Sequence, residues 1–262
     1  MRAVLLFLVG CAHRVPTEPV PAPVAPDGLR THLGLSVGAQ VVAAPDRSEE
    51  DRALDVGRLP AAFLDFLWVR PGMRVADLMA GTGYTSELLA RAVTPDGVVY
   101  SQNNAFVVER FAEKPWSERL AKDVMAGVVR VDRELDTPLP PEASDLDLVV
   151  MNLFYHDAVW MEVDRSAMNA AILASLKPGG RFVVVDHSAR EGSGVQDVKT
   201  LHRIEESVVT EELKAAGFEI VRTSDLYRHP EDTRDWSASP SAAGERRGTS
   251  DRFVIEAIRP EE

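Results

Sequence analysis

The stretch Arg74-Val-Ala-Asp-Leu-Met-Ala-Gly-Thr-Gly-Tyr-Thr-Ser-Glu-Leu-Leu89 constrains the chain most. Arg74 to Leu78 has the length of a buried strand, and Gly81-x-Gly83 supplies two residues free to take positive φ. Tyr84, Leu88, Leu89 and Ala92 then share one face at helical spacing. Strand, tight loop and helix follow in that order. Backbone amides at such a helix start face a polar or anionic ligand. Turn glycines occur in loops of every kind, so the surrounding sequence has to decide between a ligand site and a plain turn.

With 262 residues, 45% of them hydrophobic and 27% charged, the chain suits one domain with a full core. Its formal charge of -12 argues against a nucleic-acid backbone as partner, because phosphate contacts need clustered Lys and Arg. A small molecule is the expected partner. The chain has one cysteine, which excludes a disulfide framework or a cysteine-based zinc site within a single copy.

That cysteine follows a short leader. Met1-Arg2 is positively charged, Ala3 to Val9 is apolar, and Leu8-Val9-Gly10-Cys11 resembles the lipobox of bacterial lipoproteins. The resemblance implies a signal peptide over residues 1–10 and lipid attachment at Cys11. The apolar segment is too short to span a bilayer. Its alternative reading is a buried N-terminal strand carrying an incidental cysteine. Pro16, Pro19, Pro21, Pro23 and Pro26 alternate with small residues, so 11–30 reads as an extended tether and 31–262 as the folded domain. The expected location is the cell envelope, with a cytosolic chain whose start is set too early as the alternative.

Leu59, Phe63, Phe66 and Leu67 share a helical face, and Pro60 is tolerable only in a first turn, so a helix begins near Leu59. Val98 to Ser101 is a second strand, Phe106 to Met125 a helix broken or kinked near Pro115, and Val128 to Val131 a third strand. Leu146 to Asn152 is the clearest buried strand. A helix capped by Asp164 runs to Lys177-Pro-Gly-Gly180, and Arg181 to Val185 is a fifth strand. Thr210 is read as the cap of a further helix ending before Gly217. Phe218 to Val221 and Arg252 to Ile258 complete the strands. The alternation predicts an α/β doubly wound, mostly parallel sheet, whose ligands bind at the carboxyl ends of its strands.

Val75 to Gly83, Leu146 to Val150 and Leu176 to Val184, in this order and spacing, resemble the class I S-adenosylmethionine-dependent methyltransferases, over roughly Val56 to Pro260. Tyr155-His-Asp157, Asp186-His-Ser-Ala189 and Ser250-Asp-Arg-Phe253 resemble, more narrowly, a group of exported bacterial predicted methyltransferases. The wider resemblance implies a seven-stranded Rossmann-like sheet whose last strand runs antiparallel beside the fifth. It implies S-adenosylmethionine as cofactor, cradled at Asp77, Ala80, Gly81, Thr82 and Gly83. Two departures stand out. Met79 occupies the place of the first family glycine, and Gln102, Asn103 and Asn104 stand where an acid usually grips the ribose, which puts Gln102 and Asn103 near that sugar. Asp132 is the expected neighbour of the adenine amino group, with Glu134 and Asp136 as alternatives.

Methyl transfer from a sulfonium is an in-line displacement, so the enzyme mainly positions the reactants and removes a proton where the nucleophile carries one. Asn152, Tyr155, His156 and Asp157 come from the fourth strand end, Asp186 and His187 from the fifth. His202, Arg203, Glu205, Arg246, Arg247 and Arg252 are further candidates, each more often a hydrogen-bonded structural residue. Trp160 and Trp236 read as pocket walls or plain core. The preferred base is His156, then His187, with Asp186 as the orienting carboxylate. Asn152, Asp186 and His187 resemble in position the magnesium ligands of catechol-type methyltransferases. One carboxylate among them is a poor match for that hard ion, and no metal is expected. The predicted function is methyl transfer to a small oxygen or nitrogen nucleophile, with a non-catalytic ligand-binding module of the same fold as the alternative.

Overall fold

The computed structural model describes residues 34–261, so the proposed leader, Cys11, the tether and residues 31–33 of the predicted domain lie outside the described residues. Three helices, α1 (Val37–Val42), α2 (Glu49–Arg58) and α3 (Pro60–Leu67), precede β1 (Arg74–Leu78). Ser36 and Ser48 cap the first two, each hydroxyl accepting from the amide three residues on at 3.1 Å. Pro60 opens α3 as its sequence demanded, after Leu59 turns the chain at φ 42. The sequence reading did not find α2, whose ten residues are mostly charged. Ion pairs fix it instead: Asp51 pairs with Arg119, and Asp55 with Arg47.

After β1 come α4 (Tyr84–Val93), β2 (Val98–Asn103), the short α5 (Ala105–Val107), α6 (Glu113–Leu120) and β3 (Val128–Asp132). The break expected near Pro115 falls earlier, as a π-helical turn over Val108–Ala112. Pro115 then sits in the first turn of α6, where amides need no intrahelical acceptor. β4 (Leu146–Asn152), α7 (Tyr155–Trp160), α8 (Arg165–Ser175), β5 (Leu176–His187), α9 (Val198–Leu201), α10 (Glu206–Ala215), β6 (Glu219–Thr223) and β7 (Arg252–Ile258) complete the chain. Asp164 Oδ1 caps α8 by accepting from the Ala167 amide at 3.0 Å, as predicted. Thr210 caps nothing; it lies inside α10, which starts after Glu205. β5 is longer than Arg181 to Val185, because Leu176 already pairs with Leu146 across a register shift.

The sheet has seven strands in the order β3-β2-β1-β4-β5-β7-β6. β1 through β5 run parallel, and β7 enters antiparallel between β5 and β6. The inner strands are near-continuous apolar runs such as Leu148 to Met151 and Phe182 to Val185, fully buried because helices cover both faces. β1 and β4 are neighbours, so chain order reverses between them and their carboxyl ends leave a crevice. Among the described residues, no helix is long and apolar enough to cross a membrane.

Candidate active site

The carboxyl ends of β1, β4 and β5 open into one cavity of about 620 Å³, a size typical of small-molecule sites. One wall is the glycine turn, with Asp77, Ala80, Gly81 and Thr82. The opposite wall carries Asn152, His156, Asp157, His187 and His202, and Phe106, Phe111 and Trp160 form an apolar side. Phe111 and Trp160 are partly exposed there, each ring about 6 Å from that of Phe106.

The turn is held from beneath. Gln102 Oε1 accepts from the Met79 amide at 3.0 Å, and its Nε2 donates to the Arg133 carbonyl. Asn103 accepts from the Gly81 amide at 2.8 Å and donates back to the Gly81 carbonyl. Both amides are fully buried and absent from the cavity lining, so they brace the turn where the resemblance had them touching a ribose. Met79 has φ 52, a left-handed conformation that explains why glycine suits this position. The hydrogen bond that its N–H donates to Gln102 Oε1 helps hold it there. Asp132 also stands outside the lining, paired with Arg130 at 2.8 Å.

Gly81 and Gly83 differ in what they face. Gly81 has φ +57 and open space in the direction of a Cβ, whereas a Cβ on Gly83 would lie 2.1 Å from the Trp116 ring. Gly83 serves packing, and Gly81 bares its backbone to the cavity. Arg119 adds to the brace by donating to the Thr82 carbonyl at 2.6 Å. Asp77, buried at the end of β1, accepts from Ser86 Oγ at 2.6 Å. Burial pushes its carboxyl up to about 7 despite that bond.

Arg58 was not foreseen. It reaches the cavity from the end of α2, its guanidinium 4.4 Å above the Tyr84 ring. No carboxylate among the described residues pairs with it, and burial lowers its pKa. A lining cation without a counter-ion suits an anionic ligand. No periodicity or motif could have marked it, because only the contacts of α2 with Tyr84 bring it to the glycine turn.

On the opposite wall, Asp186 is consumed by its neighbours. Its Oδ2 accepts from the His156 amide, and its Oδ1 accepts from the His187 amide and faces His156 Nδ1, each at 2.7 Å. With both oxygens engaged it is poorly disposed to join Asn152 and His187 as a metal ligand, and its bond to Nδ1 orients the His156 ring. Burial works to lower the pKa of His156, but the Asp186 carboxylate outweighs it and holds the value above the ordinary one. His187 Nδ1 lies 2.8 Å from Ser250 Oγ. Burial, joined by the positive charge of His156 and Arg252, pulls His187 well below its usual range.

His202 joins the pair, its ring 5.4 Å from that of His156, while His187 lies 5.7 Å from His156 on the other side. Of its sequence neighbours, Arg203 is buried against Asp232 and the Ser188 carbonyl, and Glu205 holds the Gly194 amide. Tyr155 is buried, its hydroxyl bonded to Glu212 and Asn169. Arg246, Arg247, Arg252 and Trp236 do not line this cavity, whereas Trp160 does.

The strand order, the antiparallel seventh strand and a glycine turn at the first strand end together define the class I S-adenosylmethionine-dependent methyltransferase fold. The cofactor of that class fits the residues present: Arg58 would hold its carboxylate, and the bare backbone at Gly81 leaves room beside it. A solved S-adenosylmethionine-dependent methyltransferase from Aquifex aeolicus superposes with a TM-score of 0.54 at 18% identity, covering 80% of this chain and 96% of that one. The protein-L-isoaspartate O-methyltransferase of Aeropyrum pernix is 37% identical over 90 residues, 31% of this chain and 33% of the relative. That of Methanopyrus kandleri is 26% identical over 151 residues, 53% and 59%. The chain thus spans between a third and three-fifths of the length of these curated relatives. The family model for protein-L-isoaspartate(D-aspartate) O-methyltransferase matches residues 51–222, and the chain belongs to that family.

Proposed function

We propose that this chain transfers the methyl group of S-adenosylmethionine to a small oxygen or nitrogen nucleophile bound against the histidine wall. The observation that carries this reading is a single cavity with Arg58 and Gly81 on one side and His156, His187 and His202 on the other. The cofactor supplies the electrophilic methyl group. Arg58 and the turn hold it beside the aromatic side of the cavity, and the nucleophile approaches from the histidines. His187, the second choice from sequence, replaces His156 as the proton acceptor in this reading, because burial keeps its imidazole uncharged. With its Nδ1–H donating a hydrogen bond to Ser250 Oγ, Nε2 keeps a lone pair, and no carboxylate among the described residues pairs with this imidazole.

The family match favours a second acceptor, the carboxylate of an isoaspartyl residue in a protein. Asp157 lines the same wall and would repel it. The two acceptors are separated by supplying methyl-labelled cofactor with an isoaspartyl peptide or with a panel of small phenols, amines and alcohols. Label in a small acceptor supports the proposal. Label confined to the peptide replaces it, and cofactor binding without transfer to any acceptor leaves a binding module. We also propose that the chain is anchored by lipid at Cys11, on the support of the Leu8 to Cys11 motif and the proline-rich segment after it.

A further inference from the structure

Asp157 faces two imidazoles at an unusual spacing. His156 Nε2 lies 3.4 Å from Asp157 Oδ1, and His202 Nδ1 lies 3.5 Å from the same oxygen. The same His156 ring meets Asp186 at 2.7 Å, so short hydrogen bonds form here where geometry allows. The ligand atoms of His156, Asp157 and His202 all lie within 4.8 Å of one another. Ligands bound ~2.0–2.1 Å from a tetrahedral zinc ion stand about 3.4 Å apart, whereas octahedral neighbours at that bond length stand about 3 Å apart.

We propose that His156 Nε2, Asp157 and His202 Nδ1 form a site for a divalent transition-metal ion of zinc type, facing the cavity. The donor set agrees with this choice: two imidazoles and one carboxylate suit zinc and its neighbours, while magnesium and calcium prefer oxygen alone. His156 is prepared for it. Asp186 Oδ1 accepts a hydrogen bond from Nδ1–H, which fixes the ring and leaves the Nε2 lone pair directed at the site, the arrangement found behind many metal-bound histidines. His202 is held at φ 51, ψ 52 at the end of α9, a strained conformation for a residue with a side chain and one that clusters at functional positions. Three protein ligands leave a fourth position, and all three residues line the cavity, so that position opens towards the bound acceptor. The site differs from the triad weighed from sequence, which combined Asn152, Asp186 and His187. His202 lies 45 residues beyond Asp157 in the chain and joins it only because α9 packs on α7.

The site stands independently of the methyl-transfer reading, because its test reads binding of the ion alone. The purified chain, stripped with a chelator and dialysed, is titrated with zinc chloride by calorimetry, and with cobalt(II) as a visible-absorption probe of tetrahedral coordination. One ion per chain is expected, with the intense cobalt bands of a four-coordinate site and a raised melting temperature. Asp157→Asn and His202→Ala, at part-exposed positions, should keep the fold by circular dichroism and lose the cobalt bands. Asp186→Asn should weaken binding by about 10- to 100-fold. Absence of binding in the wild type, or binding unchanged in both ligand variants, overturns the proposal; in the second case other histidines hold the ion.

Discussion

Trp116 closes directly over Gly83, such that a Cβ added to the glycine would stand 2.1 Å from Cζ3 and 2.5 Å from Cε3 of the indole. The indole is fully buried, so it cannot swing away. Gly83→Ala therefore meets a steric clash and the strain of φ +84 together, and it should destabilise by about 3 kcal/mol in urea unfolding. Gly81→Ala meets open space, so its stability cost should be about 1 kcal/mol, while the new methyl group enters the cavity and weakens cofactor binding. Equal stability losses at the two glycines would contradict this division.

Arg58 lines the cavity beside the glycine turn and has no carboxylate partner among the described residues. Arg58→Met should leave stability unchanged or raise it, since burial of the unpaired cation is relieved. Calorimetry should meanwhile register a loss of about 10- to 100-fold in S-adenosylmethionine affinity, the worth of a charge-assisted hydrogen bond. Unaltered affinity would remove Arg58 from the site.

The Asp77 carboxyl, raised to about 7 by burial, links folding to pH. Between pH 3.8 and about 7 the unfolded chain has lost this proton while the folded chain keeps it. Its contribution to stability is therefore greatest below the unfolded value, falls as pH rises through that window and is flat above it. The full effect is at most about 4 kcal/mol. Relative to wild type, ligand-free Asp77→Asn should gain stability between pH 4 and 7 in paired melts, and a constant difference across that range would show that Asp77 ionises normally.

If His187 is the proton acceptor, His187→Ala should lower turnover by roughly 10²- to 10⁴-fold with cofactor affinity preserved. Acceptors that carry no proton on the attacking atom should be spared. Uniform loss across both kinds of acceptor would point to a packing role.

Labelled fatty acid supplied to the native host should enter the wild-type chain and not Cys11→Ala. Recovery of soluble chain retaining Met1 would favour the cytosolic alternative.

The order of elements was written in the sequence because it depends on local signals. The run Leu146 to Asn152 can only be a buried strand, Asp164 and Pro60 mark helix starts through their own hydrogen-bonding capacity, and Gly81 and Gly83 permit a turn that few residues tolerate. The same signals misplaced Thr210 and missed α2, whose ion pair to Arg119, 68 residues from Asp51, forms only when the chain closes on itself. Of the residues named at strand ends, Asn152, His156, Asp157 and His187 line the cavity and Gln102, Asn103 and Asp132 do not, because side-chain direction was not legible. Gln102 and Asn103 turn their amides inward to hold Met79 and Gly81, while His156 and His187 turn towards the cavity. Arg58 and His202 carry no local mark at all. They reach the cavity because α2 meets Tyr84 of α4 and α9 packs on α7, and the distance between two side chains far apart in sequence is set by that packing and by nothing in either residue's own neighbourhood.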